Sequence, residues 1–325
     1  MKLRRLLLIL TALLILCMAA GLCFGSVVLP FQQLLDTLSG KGDESAQIIL
    51  WQLRLPRVLA GILAGIGLST AGVLLQSVTA NELASPNIIG INSGAGLAVI
   101  LILTAFPQAG GFLSIGAFFG AFAAAMVILL ISRRLGSSRT AILLIGIAIT
   151  AVFNAAISFL SLLDEGVLAQ YNYFTVGSLK AARPGELAVP AVIIGAAFLL
   201  SMILSNRLGV LCMGDSAAAA LGIRVRQLRI AALACAAASA AAVVSFAGLL
   251  GFVGLVIPHI AKRLVGNQPG KTLPVSALLG AVIVLAADLL GRTLFAPSEL
   301  PVGILMSLTG APYFLILLCR RKRHA

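Results

Sequence analysis

The sequence predicts an all-α polytopic membrane protein with ten transmembrane helices, and three observations predict it. First, 60% of the 325 residues are hydrophobic and only 10% are charged, with a mean hydropathy of +1.12. That is too little charge to cover a water-soluble domain of this size. Second, the chain contains the uncharged runs 6–35, 58–81, 83–132, 140–163, 187–206, 230–261, 272–287 and 300–319. A helix needs about 20 apolar residues to cross the hydrocarbon core, so the longest runs hold two spans each. Run 83–132 divides at Pro107–Gly111, and run 230–261 divides at Gly248, Gly251 and Gly254. Third, with a cytoplasmic N-terminus and alternating spans, 17 of the 23 lysines and arginines fall inside and eight of the ten acidic residues fall outside. This is the positive-inside asymmetry, and an even number of spans returns the basic tail to the cytoplasm. The net charge of +13 therefore orients the chain in membrane lipid, and no nucleic-acid partner is expected.

Span 1 covers about 6–28 and is read as a retained helix, because removing it as a signal peptide would invert span 2. The outer segment 31–53 carries Asp36, Asp43 and Glu44 and is expected to include a short surface helix. Span 2 begins near Pro56, where the missing N–H is harmless. It leaves Arg54 and Arg57 outside, against the positive-inside tendency. Gly61 and Gly65 in span 2, Gly90 and Gly94 in span 3, and Gly116 and Gly120 in span 4 share a G-x-x-x-G spacing. Such spacing lets another helix backbone approach closely. A polar elbow of Thr79, Asn81, Glu82, Ser85, Pro86 and Asn87 joins spans 2 and 3, and the basic turn Arg133–Thr140 joins spans 4 and 5. In the outer segment 164–186, the aromatic stretch Tyr171–Ser178 suits a helix lying along the surface.

Span 6 ends near residue 205 and opens into the largest inside segment, Asn206–Arg229. Asp215 or Ser216 can cap a short helix that includes Ala218 and Ala219, and Gly222, after Leu221, can stop it. Arg224, Arg226 and Arg229 follow, which makes a compact cytoplasmic knob. Spans 7 and 8 occupy about 229–265. Span 9 covers about 273–291, with Asp288 and Arg292 spaced to pair at i,i+4. Ser298–Pro301 is expected to cap span 10. A shift of 172 places Arg54 on Arg226, Arg57 on Arg229, Pro86 on Pro258 and Gly94 on Gly266. It moves span 2 onto span 7, five helices later, so the copies are inverted. Residues 1–325 thus form one transmembrane domain: repeat A at about 54–163 (spans 2–5), a connecting segment at about 206–229, and repeat B at about 229–319 (spans 7–10).

The missing chemistry narrows the function. No span carries a carboxylate at its middle, where an ion-coupled secondary transporter, the alternative class, usually needs one. His259 and His324 form no metal pair, the five cysteines (17, 23, 212, 235 and 319) have no framework spacing, and no serine, histidine and acid cluster is legible. No metal, cofactor or catalytic residue is expected. Gly266–Thr272 ends like a phosphate-binding loop but is one residue too short between its glycines, and no strand precedes it. If ATP drives this protein, the nucleotide site lies on a partner, and the 212–229 knob is the expected contact.

At R-L-P-R (54–57), A-G-x-x-x-Q (71–76), N-x-L-A-x-P (81–86), A-x-x-L-G (218–222), G-F-V-G-L-V-I-P-H (251–259) and E-L-P-x-G (299–303), the sequence resembles the FecCD family of permeases. That family supplies the membrane subunits of cobalamin, haem and ferric-siderophore ABC importers. The resemblance implies a type II ABC importer permease fold in a bacterial cytoplasmic membrane, with both termini cytoplasmic. It also implies a second permease subunit, two cytoplasmic ATPase subunits and an extracytoplasmic substrate-binding protein. A ferric siderophore or similar iron chelate is the expected cargo, with cobalamin or haem as alternatives. Arg54, Arg57 and Arg292 correspond to arginines that meet acidic residues of the binding protein. Asn81 and Leu83, with the Ser138–Thr140 turn, correspond to the cytoplasmic gate. Gly214, Asp215, Ala218, Ala219, Leu221 and Gly222 correspond to the helices that seat in the ATPase. Glu82 stands where the family commonly carries proline, and Asp215-Ser216 where further acidic residues are usual.

Overall fold

Large apolar side chains cover the outside of this helical bundle as well as its interior: Leu8, Ile15, Phe119, Leu162, Val192 and Ile203 are each more than half exposed. Burying a side chain of this kind is worth about 1.5–3 kcal/mol in water, so an exterior built of them is suited to hydrocarbon. The computed structural model describes residues 3–25, 30–87, 89–106, 108, 110–134 and 139–321, and all regular elements among them are helical.

The chain opens with α1 (Leu3–Cys23), which ends short of the expected residue 28. Two short helices follow, α2 (Phe31–Leu38) and α3 (Glu44–Ile48), and a π-helical turn over Ile49–Arg54 joins α3 to α4 (Leu55–Thr79). The expected outer loop with one surface helix is therefore replaced by two helices, the second running unbroken into span 2. The stretch Ile48–Leu53 supports that continuation, because it holds no glycine or proline to interrupt the turn. Pro56 lies in the first turn of α4, and left-handed Ala80 (φ 48°) ends the helix. Next come α5 (Ile91–Ala105), a 3-10 turn at Gly110–Phe112, α6 (Leu113–Arg134), α7 (Arg139–Ser161) and α8 (Glu165–Val176). The chain continues through α9 (Pro184–Cys212), α10 (Asp215–Ala220), α11 (Val225–Ala247), α12 (Val253–Val265), α13 (Pro269–Thr293) and α14 (Val302–Arg321).

Helices α1, α4–α7, α9 and α11–α14 stand where the ten spans are expected. Among the described residues, seven of the helices are long and apolar enough to cross a membrane, while α5 and Val302–Ile316 of α14 are shorter apolar runs and α12 has 13 residues. The breaks follow the glycines: α11 ends at Gly248 (φ 68°), and α12 restarts at Val253.

α4 is the buried centre, packed by α9, α11, α12 and α13. Gly65 of α4 lies against Gly280 of α13, where an added Cβ would meet the Gly280 carbonyl; Gly94 of α5 meets Gly120 of α6 in the same way. The spaced glycines thus set helix-to-helix distance. Packing partners also correspond between spans 2–5 and spans 7–10, as a repeat of either orientation would give. The α4–α13 contact answers to α11–α6, α5–α6 to α12–α13, α5–α7 to α12–α14, and α6–α7 to α13–α14. Gly67 and Ser239, 172 residues apart, meet directly, the Ser239 hydroxyl donating to the Gly67 carbonyl at 3.0 Å.

Candidate functional site

Where α4 and α13 meet near the expected outer surface, the three predicted arginines come together, but facing inward. Arg54, Arg57 and Arg292 are 5%, 8% and 4% exposed. Arg57 donates through Nε to both oxygens of Asp288 at 3.0 Å and through Nη1 to Glu299 at 2.8 Å. Arg292 lies 3.6 Å from Asp288, the expected i,i+4 pair. Its Nη2 also donates to the Gly21 carbonyl at 2.7 Å, and Arg54 donates to the carbonyls of Leu22 and Cys23 at 2.5 and 2.8 Å. Both thereby cap the last turn of α1, where unpaired carbonyls and the helix dipole favour a cation. Glu299, within the Ser298–Pro301 segment that precedes α14, is bound by Arg57. Its carboxyl is pushed up by burial, but the hydrogen bond and charge of Arg57, with Lys180 and Arg292, outweigh this and hold it below the usual carboxylate range.

A series of cavities starts at this cluster. Arg54, Arg57, Lys180, Arg292 and Glu299 line a cavity of about 170 Å³. Arg57, Lys180 and Glu299 also line a neighbouring cavity of about 440 Å³, which extends past Asn172 and Tyr173 to Val176 and Ile304. Val176 and Ile304 in turn line a third cavity, of about 580 Å³, which reaches Asn87 and Asn92 beside the elbow. The three cavities thus lie in succession, each sharing lining residues with the next, from the arginine cluster toward the α4–α5 connection.

The wall is held by α8, which does more than lie on the surface as its sequence suggested. Asp164 caps its start, accepting from the amides of Gly166 and Val167. Its far end is hydrogen-bonded into the bundle: Leu249 N donates to Phe174 O at 3.2 Å, Ser178 N to Ala247 O at 2.9 Å, and Gly303 N to Gly177 O at 3.1 Å. The α11–α12 break exposes the backbone groups that make these bonds possible. Lys180, Val176 and Asn92 carry no motif, and only the fold places them along these cavities.

At the elbow, half-buried Asn81 accepts from Leu83 N at 2.9 Å, and Ala84 N donates to Asn81 O at 3.1 Å, closing the turn. Glu82, the departure from proline, faces His259 of α12 at 3.8 Å, and Arg263 donates to the other ring nitrogen of His259 at 3.1 Å. Lys262 donates to Gln76 at 2.7 Å, fastening α12 to the end of α4. Glu82 thus places a carboxylate beside α12 of the second half of the chain, where the family commonly has proline. Thr140 is exposed at the start of α7, whereas Ser138 lies outside the described residues.

The predicted knob contains α10, with Gly214 (φ 127°) before it and Gly222 (φ 75°) after it. Asp215 does not cap the helix. It is the first helical residue, and it pairs with Arg229 at 2.9 Å. Ala218 is buried; Ala219 and Leu221 are exposed, as is Met213 just before the helix. The Gly266–Thr272 segment is a helix start rather than a phosphate loop, with the Thr272 hydroxyl donating to the carbonyls of Gly266 and Gln268.

An apolar exterior over a bundle of long apolar helices defines the class: a multi-pass membrane protein. The chain belongs to the FecCD transport family, whose model matches residues 13–320, and is a permease subunit of an ABC importer that works in association with other subunits. It is 37% identical to the Fe(3+)-citrate import system permease protein of Bacillus subtilis (strain 168), covering 96% of this chain and 93% of that one. It is 36% identical to the hemin transport system permease protein of Yersinia pestis, over 92% and 91% of the two chains. A solved metal-chelate type ABC transporter in an inward-facing conformation superposes with a TM-score of 0.88 at 30% identity, over 98% of this chain and 99% of the other.

Proposed function

We propose that this permease carries a ferric siderophore or similar iron chelate across the cytoplasmic membrane, receiving it from an extracytoplasmic substrate-binding protein. The observation that carries the reading is the succession of adjoining cavities from the Arg57–Glu299 cluster toward the elbow, which suits one half of a path completed by a second permease subunit. The import systems named among its relatives supply the cargo class. Cobalamin and haem remain the alternatives within the same family.

In this reading both termini are cytoplasmic, and ATP is hydrolysed by two separate ATPase subunits. The segment Gly214–Gly222 seats in them, Leu221 and its neighbours supplying the apolar contact that an exposed patch on a polar knob offers. Asn81 and Leu83, with the Ser138–Thr140 turn, close the inner end of the path. Arg54, Arg57 and Arg292 mark the docking rim. Being buried, they act on acidic lobes of the binding protein through their field, which steers encounter more than it adds affinity. Together with Lys180 they set four cations against the two carboxylates Asp288 and Glu299.

The test is uptake into proteoliposomes that hold the permease with its ATPase and receive loaded binding protein. Uptake that requires both ATP and the ATPase is expected. Uptake that persists without them, driven by an ion gradient, would sink the reading in favour of a secondary transporter.

A further inference from the structure

Beside α10, the last turns of α9 and the first turns of α11 line a cavity of about 550 Å³ that the transport path does not use. Its polar side chains are Arg207 of α9, Arg224 just before α11, and Gln227 in the first turn of α11. Leu204, Leu228 and Ala231 supply apolar lining, and Gln227, Leu228 and Ala231 follow Arg224 at spacings that share one helix face. Arg207 comes directly after the uncharged run 187–206, which matches the about 20 residues that cross a hydrocarbon core. The cavity therefore stands at the level of the lipid headgroups. One turn back along α9, Leu200 and Ile203 are 50% and 75% exposed, so the apolar lining at Leu204 adjoins a lipid-facing surface. The lining holds two cations and no carboxylate. Among the described residues neither Arg207 nor Arg224 forms an ion pair, whereas Arg229 is buried and turned to Asp215.

We propose that this cavity seats the headgroup of an anionic phospholipid, its phosphate bound by Arg207 and Arg224 and an acyl chain lying along Leu204 and Leu200 of α9. The inference goes beyond the import reading and rests on it only for the assignment of this face to the cytoplasm. A guanidinium can give a phosphate two parallel N–H donors, and a basic pocket between helices at the cytoplasmic leaflet suits such headgroups. A zwitterionic lipid is disfavoured, because it brings a cation of its own to the two arginines. The ATPase subunits are the rival occupant, since Leu221 also lines the cavity. They approach from the aqueous side. Leu204 precedes Arg207 and Ala231 follows Arg224, so both apolar side chains lie on the hydrocarbon side of the cations, where lipid and not an aqueous partner supplies the matching surface.

The experiment is native mass spectrometry of the complete transporter, ATPase subunits bound, released from vesicles of phosphatidylcholine mixed with phosphatidylglycerol. Phosphatidylglycerol is expected to be enriched among the last lipids retained. Arg207→Gln and Arg224→Gln should each lower that enrichment about fivefold, the worth of one basic residue at an anionic surface. Arg226→Gln removes the same charge from a position outside the lining and should leave most of the enrichment in place. All three arginines are exposed, so their replacement does not disturb the core. An equal fall in Arg226→Gln reduces the effect to diffuse attraction and overturns the site. No enrichment in the complete transporter leaves the cavity to the ATPase subunits or to water and overturns it too. Glycerol 3-phosphate added in solution should not displace the lipid; displacement shows that a free phosphate suffices and overturns the lipid as occupant. The vesicles present phosphatidylglycerol in both leaflets, so an orientation opposite to the one assigned leaves these results unchanged and is judged separately.

Discussion

Asp288 is the residue on which the α4–α13 end depends. It is 2% exposed and answers two guanidinium groups, Arg57 at 3.0 Å and Arg292 at 3.6 Å. Removing one partner of a buried ion pair costs about 3–5 kcal/mol, because the remaining charge is stranded. Asp288→Asn should therefore lower the unfolding temperature in detergent by several degrees, and an unchanged transition would show the cluster to be wetter than its burial indicates. Glu299 behaves differently, being more open to water. Its folded pKa is depressed, so its contribution is present above the unfolded carboxyl value of about 4.3 and is lost as pH falls through the folded value. The stability difference between the parent and Glu299→Gln should accordingly be present at pH 6 and vanish in the acid limb, as followed by thermal unfolding across pH. A difference that grew toward acid would contradict the sign.

At the scale of elements, two glycines separate packing from propensity. A side chain at Gly65 would drive α4 off α13, whereas nothing lies within 4 Å of the Cβ position at Gly195 in α9. Gly65→Val should abolish folded yield, while Gly195→Ala should be neutral or stabilising by about 0.4–1 kcal/mol; fluorescence-detected gel filtration and melting would read both. The coupling element has its own test. Leu221 is 69% exposed, so Leu221→Asp should leave the permease folded and reduce co-purification of the ATPase. Retained assembly would move the contact elsewhere. The elements were largely legible in sequence because their punctuation is local: Pro107–Gly111, Gly248–Gly254 and Gly222 each end a helix within a few residues of where they stand. The arginines were legible as a group but not in their direction. Their partners lie 31 or 32 residues away for Arg54, 231 and 242 for Arg57, and 271 for the Gly21 contact of Arg292. No window of sequence shows such pairings, and the same holds for the docking of α8 on Gly303. The buried, unpartnered oxygen of Asn92 was invisible for a related reason, since only a completed fold can leave a group without a partner.

For the whole molecule, the inverted repeat makes a claim about sides. If α4 and α11 are related by a pseudo-two-fold axis passing near Gly67 and Ser239, the start of α4 and the start of α11 lie at opposite faces. The Arg57–Asp288 pair then belongs to one surface, and Arg229, which stands 172 residues on from Arg57 and pairs with Asp215, to the other. The charge asymmetry of the loops assigns the first to the outside. The prediction can be checked by thiol labelling in a background lacking the five native cysteines. Glu165, exposed at the start of α8, and Met213, 78% exposed beside α10, offer one reporter on each side. Glu165→Cys should react with an impermeant maleimide in right-side-out vesicles, and Met213→Cys only in inverted ones. Labelling of both from one side would break the inverted arrangement, and with it the argument that docking and energy input enter this permease from opposite faces. Labelling from the opposite sides to those expected would keep the repeat and reverse the direction of transport it serves.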